Sequence, residues 1–313
     1  MGAILSLLAF ALHLVLCFAG APLLWGGMDK LYARMTGQPG PSIVQPYRYL
    51  AKLLNKTALL PDTATDMFAL WPLGAFLTLS VVVMLIPGFC TGMFTSNASD
   101  YVTVIGLFTL GQAATMLAGL ETGSALGSVA IARFALPAVC VEATLFVLLL
   151  VFAYLAQSTT LNEMAVAFGQ KHESLFVSTG FAFAAMLVVA FTEAGYKPFR
   201  QQDLIKGQEA TGLGYSGRLL ALLDYAAMLR LLAWMNLIIC IFLPFGMARA
   251  EAILSWPGGV LLWLFKLFCL STGLVVFKVV RGQARLSRVP EILSVALVLS
   301  VLSAVILVAK VGM

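Results

Sequence analysis

The sequence predicts an all-α integral membrane protein of about eight transmembrane helices joined by irregular cytoplasmic loops. Three observations carry that expectation. Of its 313 residues, 61% are apolar and only 11% are charged, far below the roughly 25% charged residues of soluble domains. Mean hydropathy is +0.98. The apolar residues fall in stretches long enough for helices that need about 20 residues to cross a hydrocarbon layer, whereas a spanning β-barrel would show alternating strands of about ten residues. The whole chain, 1–313, then reads as a single transmembrane domain. It leaves no length for a soluble catalytic domain, so any catalytic domain is expected in a partner.

Spans are expected at 4–25, 68–90, 101–120, 134–157, 175–193, 222–246, 256–278 and 291–309. The first has no Lys or Arg between Met1 and Lys30. It therefore lacks the basic start of a cleaved signal and is kept as a span. Cytoplasmic loop 1, residues 26–67, bends at Pro39-Gly40-Pro41 and continues into a segment where Arg48, Lys52 and Lys56 recur every four residues, with Leu50, Leu53 and Leu54 at other positions of the turn. That is the pattern of an amphipathic helix lying in the interface. Span 3 ends at acidic Glu121, span 4 carries Glu142 and span 5 ends at Glu193. The long cytoplasmic loop that follows, 194–218, contains Pro198, Gly207, Gly212, Gly214 and Gly217 and cannot be one continuous helix. Its Phe199, Leu204, Ile205, Leu213 and Tyr215 are poorly placed in water, so the loop reads as a surface built for a partner. Span 6 carries Asp224 and Arg230, and span 7 carries Lys266.

Charge sets the orientation. Fourteen Lys and Arg fall in loops 1, 3, 5 and 7: Lys30, Arg34, Arg48, Lys52, Lys56, Arg133, Lys197, Arg200, Lys206, Arg218, Lys278, Arg281, Arg285 and Arg288. The opposite loops hold only Lys171 and Arg249. The positive-inside rule then puts loops 1, 3, 5 and 7 in the cytoplasm and both termini outside the inner (cytoplasmic) membrane. The formal charge of +5 is mostly this topology signal, and nothing in it points to nucleic acid. Cys17, Cys90, Cys140, Cys240 and Cys269 form no CxxC and give neither a metal nor a disulfide framework. His13 and His172 form no pair, so a haem with two histidine ligands is not expected.

Glu121, Glu142, Glu193, Asp224, Arg230 and Lys266 lie in or at the ends of spans. An ionisable group there costs several kcal/mol unless it meets a polar cavity or a partner. Carboxylates and cations on several helices point to a hydrated track for ions, with structural pairing or snorkelling as the alternative for each.

Specific motifs run through the loops. Loop 1 reads Gly40-Pro41-Ser42-Ile43-Val44-Gln45-Pro46-Tyr47-Arg48, then Lys52-Leu53. Span 3 ends in Gly119-Leu120-Glu121-Thr122-Gly123-Ser124, followed by Ala132-Arg133. Val141-Glu142 sits in span 4, and beyond Glu193 come Pro198-Phe199, Tyr215-Ser216-Gly217 and Asp224-Tyr225-Ala226-Ala227-Met228. In order, and over nearly the whole chain, these segments resemble the membrane subunit that respiratory complex I and its energy-converting hydrogenase relatives place beneath their peripheral electron-transfer arm. There are departures. Where that family has Asp after Pro-Phe this chain has Arg200, and the Glu usual before Tyr-Ser-Gly is Gly214. The Glu usual after the loop 3 Arg is Phe134. Ile241-Phe242-Leu243-Pro244-Phe245-Gly246 and Ala284-Arg285-Leu286 are more similar to the hydrogenase and formate-hydrogenlyase branch.

The resemblance implies a membrane-anchoring and ion-coupling subunit of a complex I-like respiratory complex of the membrane-bound hydrogenase or formate-hydrogenlyase type. It implies no cofactor in this chain. Iron–sulfur clusters and a NiFe centre would sit in soluble large and small subunits, a quinone is possible, and the membrane partners would be antiporter-like subunits and lipid. Arg34, Tyr47, Arg48, Lys52, Arg133, Pro198, Phe199, Arg200 and Tyr215 would face the docked arm, and Glu121, Glu142, Glu193, Asp224, Arg230 and Lys266 would line a proton or sodium path. Three other readings stay open: a quinone-site subunit of an NADH:quinone oxidoreductase, a structural anchor without ion translocation, and a stand-alone transporter, for which no internal repeat is detected.

Overall fold

Inside hydrocarbon every backbone N–H and C=O needs a partner within its own segment, so long apolar runs become helices. The computed structural model describes residues 2–59, 65–123, 125–170, 176–195, 214–281 and 289–311. Its helices are α1 (Gly2–Met35), α2 (Gln45–Leu54), α3 (Leu70–Leu85), α4 (Tyr101–Glu121), α5 (Ala125–Ala156), α6 (Leu161–Gln170), α7 (Phe176–Gly195), α8 (Gly217–Phe242), α9 (Trp256–Arg281) and α10 (Val289–Val311). Seven of them are long and apolar enough to cross a membrane. The remaining expected span corresponds to α7, whose apolar stretch Val177–Ala190 is shorter.

Several helices outrun their apolar segments. The 34 residues of α1 extend about 50 Å at 1.5 Å per residue, well beyond a hydrocarbon core of about 30 Å. Its C-terminal third, ending at Arg34 and Met35, therefore projects past the span expected at 4–25. Likewise α5 begins at Ala125 rather than 134.

The hub is α8, buried along most of its length and packed against α1, α2, α3, α6, α7 and α9. On one flank α3 packs on both α4 and α8, and on the other α10 packs on α5 and α7. Ser178 of α7 and Ser303 of α10 lock that second flank reciprocally: each hydroxyl donates to the other residue's carbonyl, at 2.9 and 2.8 Å. At one end of the bundle Cys90–Thr91 pairs in parallel with Ala248–Arg249. At the same end Leu161 N–H donates to Ser99 O and Tyr101 N–H to Thr159 O. The opposite end gathers α2, the end of α4 and the start of α8.

Candidate functional site

At that end the amphipathic segment of loop 1 is helical over Gln45–Leu54, with Pro46, Leu50 and Leu53 buried. These positions follow i, i+4, i+7 spacing and turn Arg48 and Lys52 outward, where both are exposed. Lys56, also exposed, lies just beyond the helix. Arg34 is exposed in the last turn of α1. Two tyrosines tie α2 down. Tyr47 donates its hydroxyl to Ala19 O of α1, and Tyr49 donates to Asp224 Oδ2 of α8 at 3.1 Å. Partial burial holds the Tyr47 phenol above its ordinary pKa, so it stays a donor. Beside them Tyr225 donates to Phe18 O at 2.8 Å and stacks against Phe76.

The segment 214–218 is pinned between loop 1 and α4. Leu59 N–H donates to Ser216 Oγ at 2.8 Å, and Arg218 Nε donates to Leu54 O at 3.1 Å. Gly217 has φ +54, and a Cβ there would come within 2.4 Å of Thr57 O, so only glycine fits both the turn and the approach. A Cβ on Gly214 would lie 2.4 Å from Thr122 Cγ2. Tyr215 is buried, stacks on Phe68 at 4.2 Å, and shares its hydroxyl hydrogen between Ala118 O at 3.0 Å and Phe68 O at 3.3 Å.

Glu121 sits beside this clasp at the C-terminus of α4, where the helix dipole disfavours a negative charge. Thr65 offsets this by donating its backbone N–H at 3.2 Å and its hydroxyl to Glu121 Oε1. Burial and the neighbouring Glu121 charge both push the Tyr215 phenol well above its usual pKa. Glu121, Tyr215 and loop 1 are thus one connected unit, which the sequence presents as three separate motifs.

Deeper in the bundle, Glu142 is half-buried on α5, Asp224 is half-buried on α8, and Arg230 is only 6% exposed on α8. Lys266, 5% exposed on α9, points at the C-terminus of α8 and donates to Leu243 O at 2.7 Å and Phe245 O, with its ammonium 4.5 Å from the Phe245 ring centroid. There it takes up part-buried carbonyls at and just past the C-cap of α8. Glu193 and Arg133 are placed on α7 and α5, with their side chains outside the described residues. Pro198, Phe199 and Arg200 also lie outside the described residues.

One polar chain escapes sequence reasoning. His13 Nε2 lies 3.2 Å from Val83 O, Cys17 Sγ lies 3.6 Å from His13 Nε2, and Asn236 Nδ2 donates to Cys17 Sγ at 3.7 Å. Trp263 Nε1 completes it by donating to Asn236 Oδ1 at 2.9 Å. The chain links α1, α3, α8 and α9 through groups that are fully or almost fully buried. The contributions are isolated polar residues on α1, α8 and α9 and a backbone carbonyl of α3, so no motif announces it.

Comparison with known proteins agrees with this architecture. The sequence profile of a family described as NADH dehydrogenase matches residues 7–309. The chain is 32% identical to hydrogenase-4 component C of Escherichia coli over 275 residues, covering 86% of this chain and 82% of that protein. It is 28% identical to formate hydrogenlyase subunit 4 of Escherichia coli over 267 residues, covering 83% of this chain and 84% of the relative. Among solved structures, a chain from the membrane-bound sulfane sulfur reductase, an archaeal respiratory membrane complex, superposes with TM-score 0.79 at 15% identity, covering 97% of this chain and 100% of its own. At that identity the likeness is one of fold.

Proposed function

The chain belongs to the NADH dehydrogenase family and is a multi-pass membrane subunit of a complex I-like assembly, and we propose that it seats the peripheral redox arm of a hydrogenase or formate-hydrogenlyase type complex and couples that arm to ion movement. The observation that carries this reading is the clasp at the cytoplasmic end, where Tyr215, Ser216 and Arg218 are hydrogen-bonded to the end of α4 and to loop 1. Glu121 is bonded into the same unit through Thr65. A rigid floor of this kind, edged by exposed Arg34, Arg48 and Lys52, suits a soluble partner above it. The names of the two bacterial relatives support the hydrogenase branch. So does Gly214, because Thr122 fills the space that the Glu usual there would need.

On this reading the chain holds no redox cofactor, and the iron–sulfur clusters and NiFe centre belong to the soluble large and small subunits. Loops 1, 3, 5 and 7 face the cytoplasm, and both termini lie outside. Tyr47, Arg133, Pro198, Phe199 and Arg200 complete the docking surface, and Tyr215, buried against Phe68 and Ala118, braces it from beneath rather than meeting the partner. Redox change in the arm shifts the long loop and biases protonation of Glu121, Glu142, Glu193 and Asp224, with Arg230 tuning them and Lys266 at the far end of the path toward an antiporter-like neighbour. Carboxylates suit the task because burial and nearby cations move their pKa in either direction.

Replacement of Arg48, Lys52 and Lys56 together by Gln tests the docking half. Each cation contributes about 1 kcal/mol at an anionic surface, so the peripheral subunits should wash away at lower salt than from the unmodified complex while insertion is unaffected. Retention of the arm at unchanged salt removes loop 1 from the docking surface.

A further inference from the structure

The helix α4 carries one stripe, Tyr101, Ile105, Phe108 and Gln112, at the i, i+4, i+7, i+11 spacing of a single face. Phe108 packs on Trp234 of α8 with ring centroids 5.1 Å apart, so the indole lies against the turn of α4 next to Gln112, which follows Phe108 by four residues on the same face. Both polar residues are out of reach of bulk solvent, Gln112 at 5% exposure and Trp234 at 4%. Even so, Gln112 Nε2 and Trp234 Nε1 have no hydrogen-bond partner among the described residues. The same holds at the outer end of the stripe for the Tyr101 hydroxyl, which is fully buried, and for Asp100 Oδ1.

Leaving a buried donor or acceptor unmade costs about 1–3 kcal/mol. Four such atoms, on the cap residue Asp100, on Tyr101 and Gln112 of α4 and on Trp234 of α8, are not left dry in a stable protein, and the ligand that satisfies donors and acceptors alike is water. We infer that the α4 stripe holds two buried water sites, one at Gln112 and Trp234 in the middle of the bundle and one at Asp100 and Tyr101 near its outer end, and that together they carry protons through the outer half of the path. This role in transport rests on the coupling reading above; the water sites do not.

The chemistry of the inner site also selects the ion. An indole N–H and one amide offer at most a single side-chain oxygen, whereas a dehydrated hard cation needs a cage of several. Arg230, one turn nearer the cytoplasm than Trp234 on the same face of α8, adds a guanidinium at this depth. A proton relayed by water meets neither obstacle. About 16 Å of helix, eleven residues at 1.5 Å each, separates the two sites. Ile105 and Phe108 lie on the stripe between them, so a relay over that interval requires further waters to bridge it.

The test is radiolytic footprinting of the purified whole complex, in which a bound water split by X-rays oxidises the side chain beside it. Trp263 is the internal control: it is 2% exposed, but its indole N–H is bonded to Asn236. Trp234 and Tyr101 should be oxidised several-fold faster than Trp263. Protection of Trp234 equal to that of Trp263 overturns the water sites. In vesicles, Trp234→Phe and Gln112→Leu should each lower the protons moved per electron several-fold while retaining the peripheral subunits. The unmodified complex should show the same ratio in sodium-free buffer. Rapid oxidation of Trp234 with unchanged coupling in both variants keeps the waters and overturns their place in the path, and a strict sodium requirement overturns the choice of ion. If the unmodified complex moves no ion at all, the coupling reading falls, and the labelling still decides the water sites.

Discussion

The packing of Gly214 on Thr122 makes a demanding prediction about the clasp. A Cβ at position 214 would sit 2.4 Å from Thr122 Cγ2 and 2.7 Å from Thr122 Cβ, against the 3.5–4.0 Å of an ordinary carbon contact. Relief therefore needs a displacement of about 1 Å. Thr122 cannot easily supply it, because its side chain is buried and its hydroxyl donates to Gly119 O at 2.8 Å. Overpacking of this kind costs about 1–3 kcal/mol, and the lost freedom of the unfolded chain returns about 0.4–1 kcal/mol when Gly becomes Ala. Taking the middle of each range, Gly214→Ala should thus destabilise by about 1.3 kcal/mol. In a chain of this size that corresponds to a few degrees in the melting temperature of the purified complex, with earlier release of the peripheral subunits on heating. Thr122→Ser removes Cγ2 and keeps the hydroxyl, so in that background the cost of Gly214→Ala should fall by about 0.5–1 kcal/mol. An unchanged melting temperature for Gly214→Ala, or an equal loss in both backgrounds, refutes the argument that Thr122 excludes a larger residue and with it the structural reason for the missing acid.

Lys266→Met leaves two part-buried carbonyls just past the end of α8 without their charged donor and should cost about 1–3 kcal/mol, seen as a lower thermal midpoint in nanodiscs with Lys266→Arg milder. Full stability of Lys266→Met with lost ion coupling would instead assign the lysine to transport alone. Glu142→Gln, nearly isosteric but unable to titrate, should leave assembly intact and reduce the ions moved per electron in vesicles; unchanged coupling favours the anchor-only reading. Asn236→Leu cuts the buried chain between Cys17 and Trp263, and each orphaned group costs about 1–3 kcal/mol. Circular dichroism on heating should record a clear loss of stability, and its absence would mean that the chain does not brace the four helices.

Hydropathy made the spanning helices legible because in lipid the apolar run and the helix are the same physical object. It could not set their ends. The helix α1 continues through Trp25–Met35 and α5 starts at Ala125, because a helix persists into water wherever neighbours support its face. The helix α6, Leu161–Gln170, was hidden in a loop because ten residues with Glu163 carry no span signal; it is anchored through buried Leu161, Met164 and Ala165. At the site, Glu121, Tyr215 and Gly217 were readable as motif members and Arg218 only as a loop cation. Their union was not, since it depends on Thr57, Leu59, Thr65 and Phe68, which carry no signature. Lys266 was readable as an anomaly, but its partners are backbone carbonyls, to which side-chain patterns are blind. The line of unsatisfied atoms on α4 likewise appears only when the neighbours of Gln112 and Trp234 are known.

The most direct test of the central claim is affinity purification of this chain from its own membranes in mild detergent, with every co-purifying chain identified by mass spectrometry and the metal content measured. The account predicts stoichiometric soluble subunits that carry iron and nickel, together with at least one further multi-pass membrane chain. A stable, monodisperse preparation of this chain alone, with no redox subunit bound, would contradict it.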